Sequence, residues 1–204
     1  MRGCRPLTDS EIDTLLEHFS APEWKREKAF FLIGIRTGLR LSTILSLRLE
    51  DVSLCGRVRD RIRVRRATTK GRRSGFDLVF HKQAAAGLQE YLDTLEENSG
   101  EGFVFRGRRF GTRLHRTQGW RLIKAAFEKA GISGGYGETG VHTLRKTFAR
   151  LVYSALNHDL VKTAYAMRHA SVSTTVQYLP SMRRRLIGRF WRYKLLEAFT
   201  HRQM

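Results

Sequence analysis

Apolar positions recur with a helical period through the first fifty residues. In "PLTDSEIDTLLEHF", Ile12, Leu15, Leu16 and Phe19 fall at i, i+3, i+4 and i+7. Thr8 and Glu11 have capping-box spacing, so a helix is predicted to begin there. Pro22 and Glu23 suit the first turn of a second helix that carries Ala29, Phe30, Leu32 and Ile33 inward, with Gly38 as its C-terminal stop. "LSTILSLRLEDV" reads as a short third helix with Ser42 near its N-cap.

The period changes at residue 61. "RIRVRRA" alternates Ile62 and Val64 with arginines, which predicts a half-buried strand with one cationic face. "TTKGRRSG" is a polar turn and "FDLVF" a second strand, so residues 59–80 form an antiparallel hairpin. Helical periods return at 82–97, at 118–130 with Gly131 ending the helix, at 142–156 and at 184–199. In the last of these, Leu186, Phe190, Leu195 and Phe199 stand among several arginines. The pattern contains no internal repeat, long linker or low-complexity tract. It predicts one α+β domain, mostly helical, with a small antiparallel β-sheet.

Charge adds a partner to this picture. The 204 residues carry 38 Lys and Arg against 19 Asp and Glu, a formal charge of +19, with an ordinary hydrophobic content of 41%. A foldable chain with that excess favours a polyanion, nucleic acid first, because each phosphate contact releases counterions. A membrane surface is the competitor, but the chain has no apolar run near 18 residues and no signal-peptide pattern. The two cysteines, Cys4 and Cys55, make no CxxC pair and no zinc spacing with any histidine, so reduced thiols, no metal and a soluble cytoplasmic protein are expected.

Several segments offer chemistry, each with a bland reading beside it. "GGYGETG", residues 134–140, holds a G-x-G-x-x-G match but follows a helix rather than a strand, so a loop into the next helix is the better reading. In "VHTLRKTFARL", His142 and Arg145 share one helical face while Leu144, Phe148, Leu151 and Val152 supply an apolar one. Both polar groups fit a solvated surface, yet the histidine sits in the first turn, where a helix helps to hold an anion. Arg40 lies at a helix–helix junction, and Lys70 sits in the hairpin turn beside Arg72 and Arg73. "MRHASVSTTVQYL" sets His169 nine residues before Tyr178, which is either an amphipathic core residue or a nucleophile.

In order, these segments resemble the catalytic domain of the tyrosine recombinase (phage integrase) family. "TGLRLSTILSLRLEDV" resembles its first arginine box, "ATTKGRR" its hairpin lysine, "HTLRKTFA" its His-x-x-Arg box and "RHASVSTTVQYL" its closing His/Tyr box. The resemblance runs from about residue 7 to 182 and implies a single catalytic domain of the DNA breaking-rejoining type over 1–182. The C-terminal helix, 183–204, would then pack on its own domain or dock on a neighbouring protomer. The implied activity is site-specific recombination through a 3′-phosphotyrosine intermediate, without metal, ATP or any other cofactor.

The resemblance also implies roles. Tyr178 attacks the phosphodiester; Arg40, Arg145 and His169 donate to the phosphorane oxygens; His142 is a base or orienting group; and Lys70 protonates the leaving 5′-oxygen. Chemistry agrees, since a phenol is mostly protonated at neutral pH and needs a proton acceptor or local positive charge. Arg63, Arg65, Arg66, Arg72, Arg73, Lys146 and Arg168 are the expected DNA-binding residues. The implied partner is double-stranded DNA, bound as a tetramer at synapsis by a protein that is a monomer or dimer when free, in the cytoplasm and on the nucleoid. The alternative is an inactive integrase relative with an architectural or regulatory role.

Three departures from the family pattern stand out. Thr43 replaces an acidic residue three after Arg40, so support for that arginine must come from elsewhere or its orientation is looser. Met167 and Arg168 replace Leu-Gly before His169, which is expected to change local packing and add a phosphate contact, and Lys146 replaces a common histidine. The match also begins near residue 7, without an N-terminal DNA-clamping domain, so either a minimal recombinase or an excised catalytic domain is expected.

Overall fold

Thr8 caps the first helix as its spacing predicts. In a computed structural model that describes residues 4–65, 75–95, 101–109, 111–132, 139–140, 142–169 and 171–179, α1 spans Asp9–His18. Thr8 accepts from the Glu11 N–H while the Glu11 carboxylate accepts from the Thr8 N–H, satisfying two N-terminal donors at once. The described chain divides into two units, residues 1–148 and 149–204.

In the first unit, Pro22–Trp24 form a 3-10 turn that leads into α2, Lys25–Thr37. Ala29 to Ile35 are all buried, so this stretch of α2 is apolar on every side and forms the centre of the unit. Gly38 ends it in the left-handed conformation, φ 62°, its N–H returning to the Gly34 carbonyl. α5, Lys82–Leu92, packs on α2 through Gly87, where an added Cβ would come within 2.6 Å of the Leu32 side chain. Phe30 meets Phe105 edge-on with centroids 5.1 Å apart, and Tyr91 stacks on the same ring at 5.8 Å.

The single helix predicted over 41–52 is corrected to two short ones, α3 at Leu41–Ile44 and α4 at Leu49–Val52. The N-cap is Arg40 rather than Ser42. Two effects break the helix. The Ser46 hydroxyl donates to the Ser42 and Thr43 carbonyls. The intervening backbone also pairs with a distant segment, Leu49 N–H to Gly102 O and Val104 N–H to Leu47 O.

Two small hairpins follow. β1, Ser53–Leu54, pairs with β2, Arg57–Val58, through Cys55 and Gly56. Both turn residues have positive φ, the requirement of a type I′ turn. Nothing in the apolar pattern marked this hairpin. The predicted one is present: β3, Arg61–Val64, pairs antiparallel with β4, Phe76–Val79, in the register Ile62 to Leu78. Ile62 and Val64 point into the core while Arg61 and Arg63 face solvent. The predicted turn, with Arg66, Lys70, Arg72 and Arg73, lies outside the described residues.

α6 runs from Arg116 to Lys129, two residues earlier than the apolar period suggests, because His115 and Gln118 form a reciprocal cap. α7 spans Thr143–Ala155, and the boundary between the units falls within it. In the second unit, α8, Leu160–Ala166, and α9, Val172–Tyr178, were not distinguished by the sequence pattern. The helix predicted at 184–199 lies outside the described residues. Among the described residues no helix is long and apolar enough to cross a membrane.

Candidate active site

Arg40 stands between α2 and α3, two residues after the left-handed Gly38. Its backbone carbonyl accepts from Thr43 and Ile44, which fixes the main chain at the start of α3. Its side chain is exposed and makes no hydrogen bond or ion pair among the described residues. Thr43 is buried at 4% exposure, one turn into the same helix.

α7 is locked onto α2 by a run of small-to-large contacts. Gly34 and Gly38, four apart on α2 and its cap, face Leu144 and Phe148, four apart on α7. An added Cβ would come within 2.6 Å of Leu144 at Gly34 and 2.2 Å of Phe148 at Gly38. Between these two contacts the buried Arg145 guanidinium donates to the Gly38 carbonyl. The first turn of α7 is further tied down from the N-terminal segment, where Leu7 N–H donates to Thr147 Oγ1 at 2.9 Å. Lys146 Nζ donates to the Cys4 carbonyl at 2.6 Å.

His142 caps α7, its carbonyl accepting from the Lys146 N–H. Its imidazole is open to solvent on one side. Partial desolvation, followed by the charges of Lys146, Arg116, Arg145 and Arg40, holds its pKa below the ordinary histidine value. The four largest charges acting on it are positive. A neutral imidazole in such a field can accept a proton, and the field itself suits an anion. The structure thus brings Arg40, His142, Arg145 and Lys146 together in the first unit. Arg116, at the start of α6, joins them; sequence reading missed it because its place depends on tertiary packing.

In the second unit the end of α8 fixes His169. The Arg168 N–H bonds to the Tyr165 carbonyl at 2.9 Å and the His169 N–H to the Ala164 carbonyl at 3.0 Å, a Schellman motif. Arg168 occupies its left-handed position, φ 51°, where glycine is the unstrained residue. Met167 before it is buried. His169 Nδ1 lies 2.8 Å from the hydroxyl of the fully buried Thr175 on α9. The His169 and Tyr178 rings are 5.0 Å apart between centroids and tilted by 47°. Tyr178, at the end of α9, is partly exposed rather than sealed in the core.

The remaining candidates differ in their surroundings. Arg63 is exposed and faces Asp77 across the hairpin at 3.5 Å. Arg65 is held by Asp51 at 2.5 Å and Glu50 at 2.9 Å, so two carboxylates offset its charge locally.

The comparisons with known proteins fit this geometry. Residues 5–184 match the Phage integrase family, and the chain belongs to that family. It is 32% identical over 181 residues to the tyrosine recombinase XerC of Herpetosiphon aurantiacus, covering 85% of this chain and 55% of that protein. The probable integrase/recombinase YoeC of Bacillus subtilis is 30% identical over 179 residues, covering 88% of this chain and 91% of that one. The chain therefore spans about half the length of the first relative and most of the second. The Tn1549 transposon integrase, solved in complex with transposon right end DNA, shares the fold with a TM-score of 0.65 at 16% identity, over 91% of this chain and 65% of that one.

Proposed function

We propose that the chain is the catalytic part of a site-specific DNA recombinase that breaks and rejoins strands through Tyr178. The observation that carries this reading is the gathering of cations from three elements, Arg40, Arg116 and Arg145 with Lys146, around His142, whose pKa they help to hold below the ordinary histidine value. Such a cluster suits a phosphorane, whose added negative charge forms only during reaction, and preorganised donors there contribute most of the acceleration. The named relatives, two of them recombinases or probable recombinases and one an integrase in complex with DNA, support the same reading.

In this mechanism the Tyr178 Oη attacks the scissile phosphorus and the 5′-oxygen departs. Arg40, Arg145 and His169 donate to the non-bridging oxygens, and His142 accepts or orients the phenolic proton. Lys70 protonates the 5′-oxygen. The product is a 3′-phosphotyrosine and a 5′-hydroxyl; attack by the 5′-hydroxyl of another strand restores a phosphodiester and releases Tyr178. The bond count is conserved, so no energy source is consumed. Double-stranded DNA on the nucleoid is the partner, with Arg63, Arg65, Arg66, Arg72, Arg73, Lys146 and Arg168 along its backbone. Residues 1–182 carry the chemistry, and 183–204 dock on a neighbouring protomer in a synaptic tetramer. Incubation with nicked suicide duplexes tests the proposal: a denaturation-resistant adduct lost in Tyr178→Phe supports it. Its absence from wild-type protein on a cognate site favours a DNA-binding relative without transfer activity.

A further inference from the structure

The first turn of α7 is gripped from two faces. On one, Leu144 packs on Gly34 and Arg145 donates to the Gly38 carbonyl. On the other lie Thr143 and Thr147, one turn apart, with Thr147 roughly 160° round the helix from Arg145. Both threonines are fully buried. The Thr147 hydroxyl donates to the Thr143 carbonyl at 2.8 Å and accepts from the Leu7 N–H at 2.9 Å, serving as donor and acceptor at once. The Thr143 hydroxyl accepts from the Gly140 N–H at 2.8 Å.

What reaches Thr147 is a short stretch from far along the chain, Cys4 to Leu7, with no helix or strand of its own. Leu7 is fully buried, and both Nη atoms of Arg5 donate to the Glu11 carboxylate, which anchors the stretch to α1. Cys4 covers the approach to α7. Its carbonyl accepts from Lys146 Nζ at 2.6 Å, and a Cβ added at Gly140 would collide with its sulfur. The stretch therefore touches Gly140, Lys146 and Thr147, which bracket His142 and Arg145 in sequence. The start of a helix lacks part of the backbone bonding that stiffens its middle, so outside contacts decide how rigid this turn is.

We propose that residues 4–7 are a strap that sets the rate of strand cleavage, acting through Thr147 as a positioning residue. Seated, the strap holds the turn that presents His142 and Arg145; lifted, it leaves that turn loose. This rests on the recombinase reading and adds a means of control to it. Displacing a group that must meet the reacting phosphate by about 1 Å costs on the order of 100-fold in rate. Affinity is spread over many phosphate contacts and changes little. The strap thus acts on turnover rather than on binding.

Two sets of variants of the full chain test the strap. Thr147→Val keeps the shape of the side chain and removes the partner of the Leu7 N–H. Its single-turnover cleavage of a nicked duplex falls on the order of 10-fold with duplex affinity unchanged, and Thr147→Ser restores the rate. The second set does not depend on how a core variant folds. In Cys55→Ser the Cys4 thiol is the one left for methyl methanethiosulfonate, and the added group does not fit over Gly140. Capping slows cleavage by a similar factor and moves the His142 imidazole midpoint, followed by NMR; dithiothreitol reverses both. A chain with Cys4→Ser and Cys55→Ser together ignores the reagent. The proposal is overturned by Thr147→Val that cleaves at the wild-type rate or loses affinity equally, or by Thr147→Ser that cleaves no faster than Thr147→Val. Capped Cys4 with rate and midpoint unchanged overturns it too. Wild-type protein that forms no adduct overturns the recombinase reading instead. The His142 midpoint then decides the strap alone: movement on capping supports its hold on α7, and a fixed midpoint removes it.

Discussion

The Arg145 guanidinium donates to the carbonyl of Gly38, and this bond ties the first turn of α7 to the loop that carries Arg40. One proposed catalytic arginine thereby helps to position the backbone of the other. An ammonium cannot reproduce both tasks, because it lacks the planar fork that can serve a carbonyl and a phosphate together. Arg145→Lys should lower the single-turnover rate of strand cleavage on the order of 100-fold, in line with loss of one preorganised donor. Its affinity for duplex DNA should change only a few-fold. The comparison of gel-shift and cleavage assays reads both.

The glycine seam beneath that bond sets a second expectation. Gly38→Ala forces a left-handed conformation on a residue with a Cβ and drives it into Phe148, costing about 2–4 kcal/mol together. Gly34→Ala meets Leu144 without backbone strain and should cost about 1–3 kcal/mol by overpacking. Leu144→Ala in the Gly34→Ala background should recover part of that loss, giving a coupling energy that urea denaturation of the four proteins of the cycle measures.

His142 gives a pH dependence with a definite sign. Its folded-state pKa lies below the ordinary value, so the unfolded chain binds its proton more tightly. The native protein therefore loses stability as pH falls from 7 through about 6.5 and below. His142→Gln should flatten that limb. In cleavage assays the acidic fall of kcat/KM should lie below the ordinary histidine range, because the proposed mechanism uses neutral His142.

Arg168 shows what the departure from Leu-Gly costs. It holds the left-handed position of the Schellman motif that places His169. Arg168→Gly should relieve that strain and stabilise the protein by about 1 kcal/mol, raising its thermal midpoint. If Arg168 also contacts phosphate, the same variant should bind duplex more weakly and with a shallower salt dependence.

The sequence made some of this legible and hid the rest for physical reasons. The Thr8–Glu11 cap, the inward Ile62 and Val64 and the left-handed stop at Gly38 are local signals, and each is present. Three of the four motifs located the cationic cluster and the His169–Tyr178 pair because side-chain spacing carries them; the fourth, with Lys70, lies outside the described residues. What failed depended on distant chain. The helix predicted over 41–52 breaks because its backbone pairs with Gly102 and Val104. α8 and α9, seven residues each, are too short to express a clear apolar period. Arg116 has no motif of its own; the close approach of Gly119 to Leu41 and Leu45 puts it in the site.

The most direct measurement locates the covalent bond. After reaction with a nicked duplex bearing the cognate site, the protein is digested with nuclease and trypsin and the peptides are read by mass spectrometry. The recombinase account predicts a nucleotide joined through a phosphodiester to Tyr178, the one tyrosine in the tryptic peptide of residues 169–183. The released fragment should accept label from polynucleotide kinase without prior phosphatase, as a 5′-hydroxyl does. A nucleotide on another residue, or a released 5′-phosphate, would contradict it.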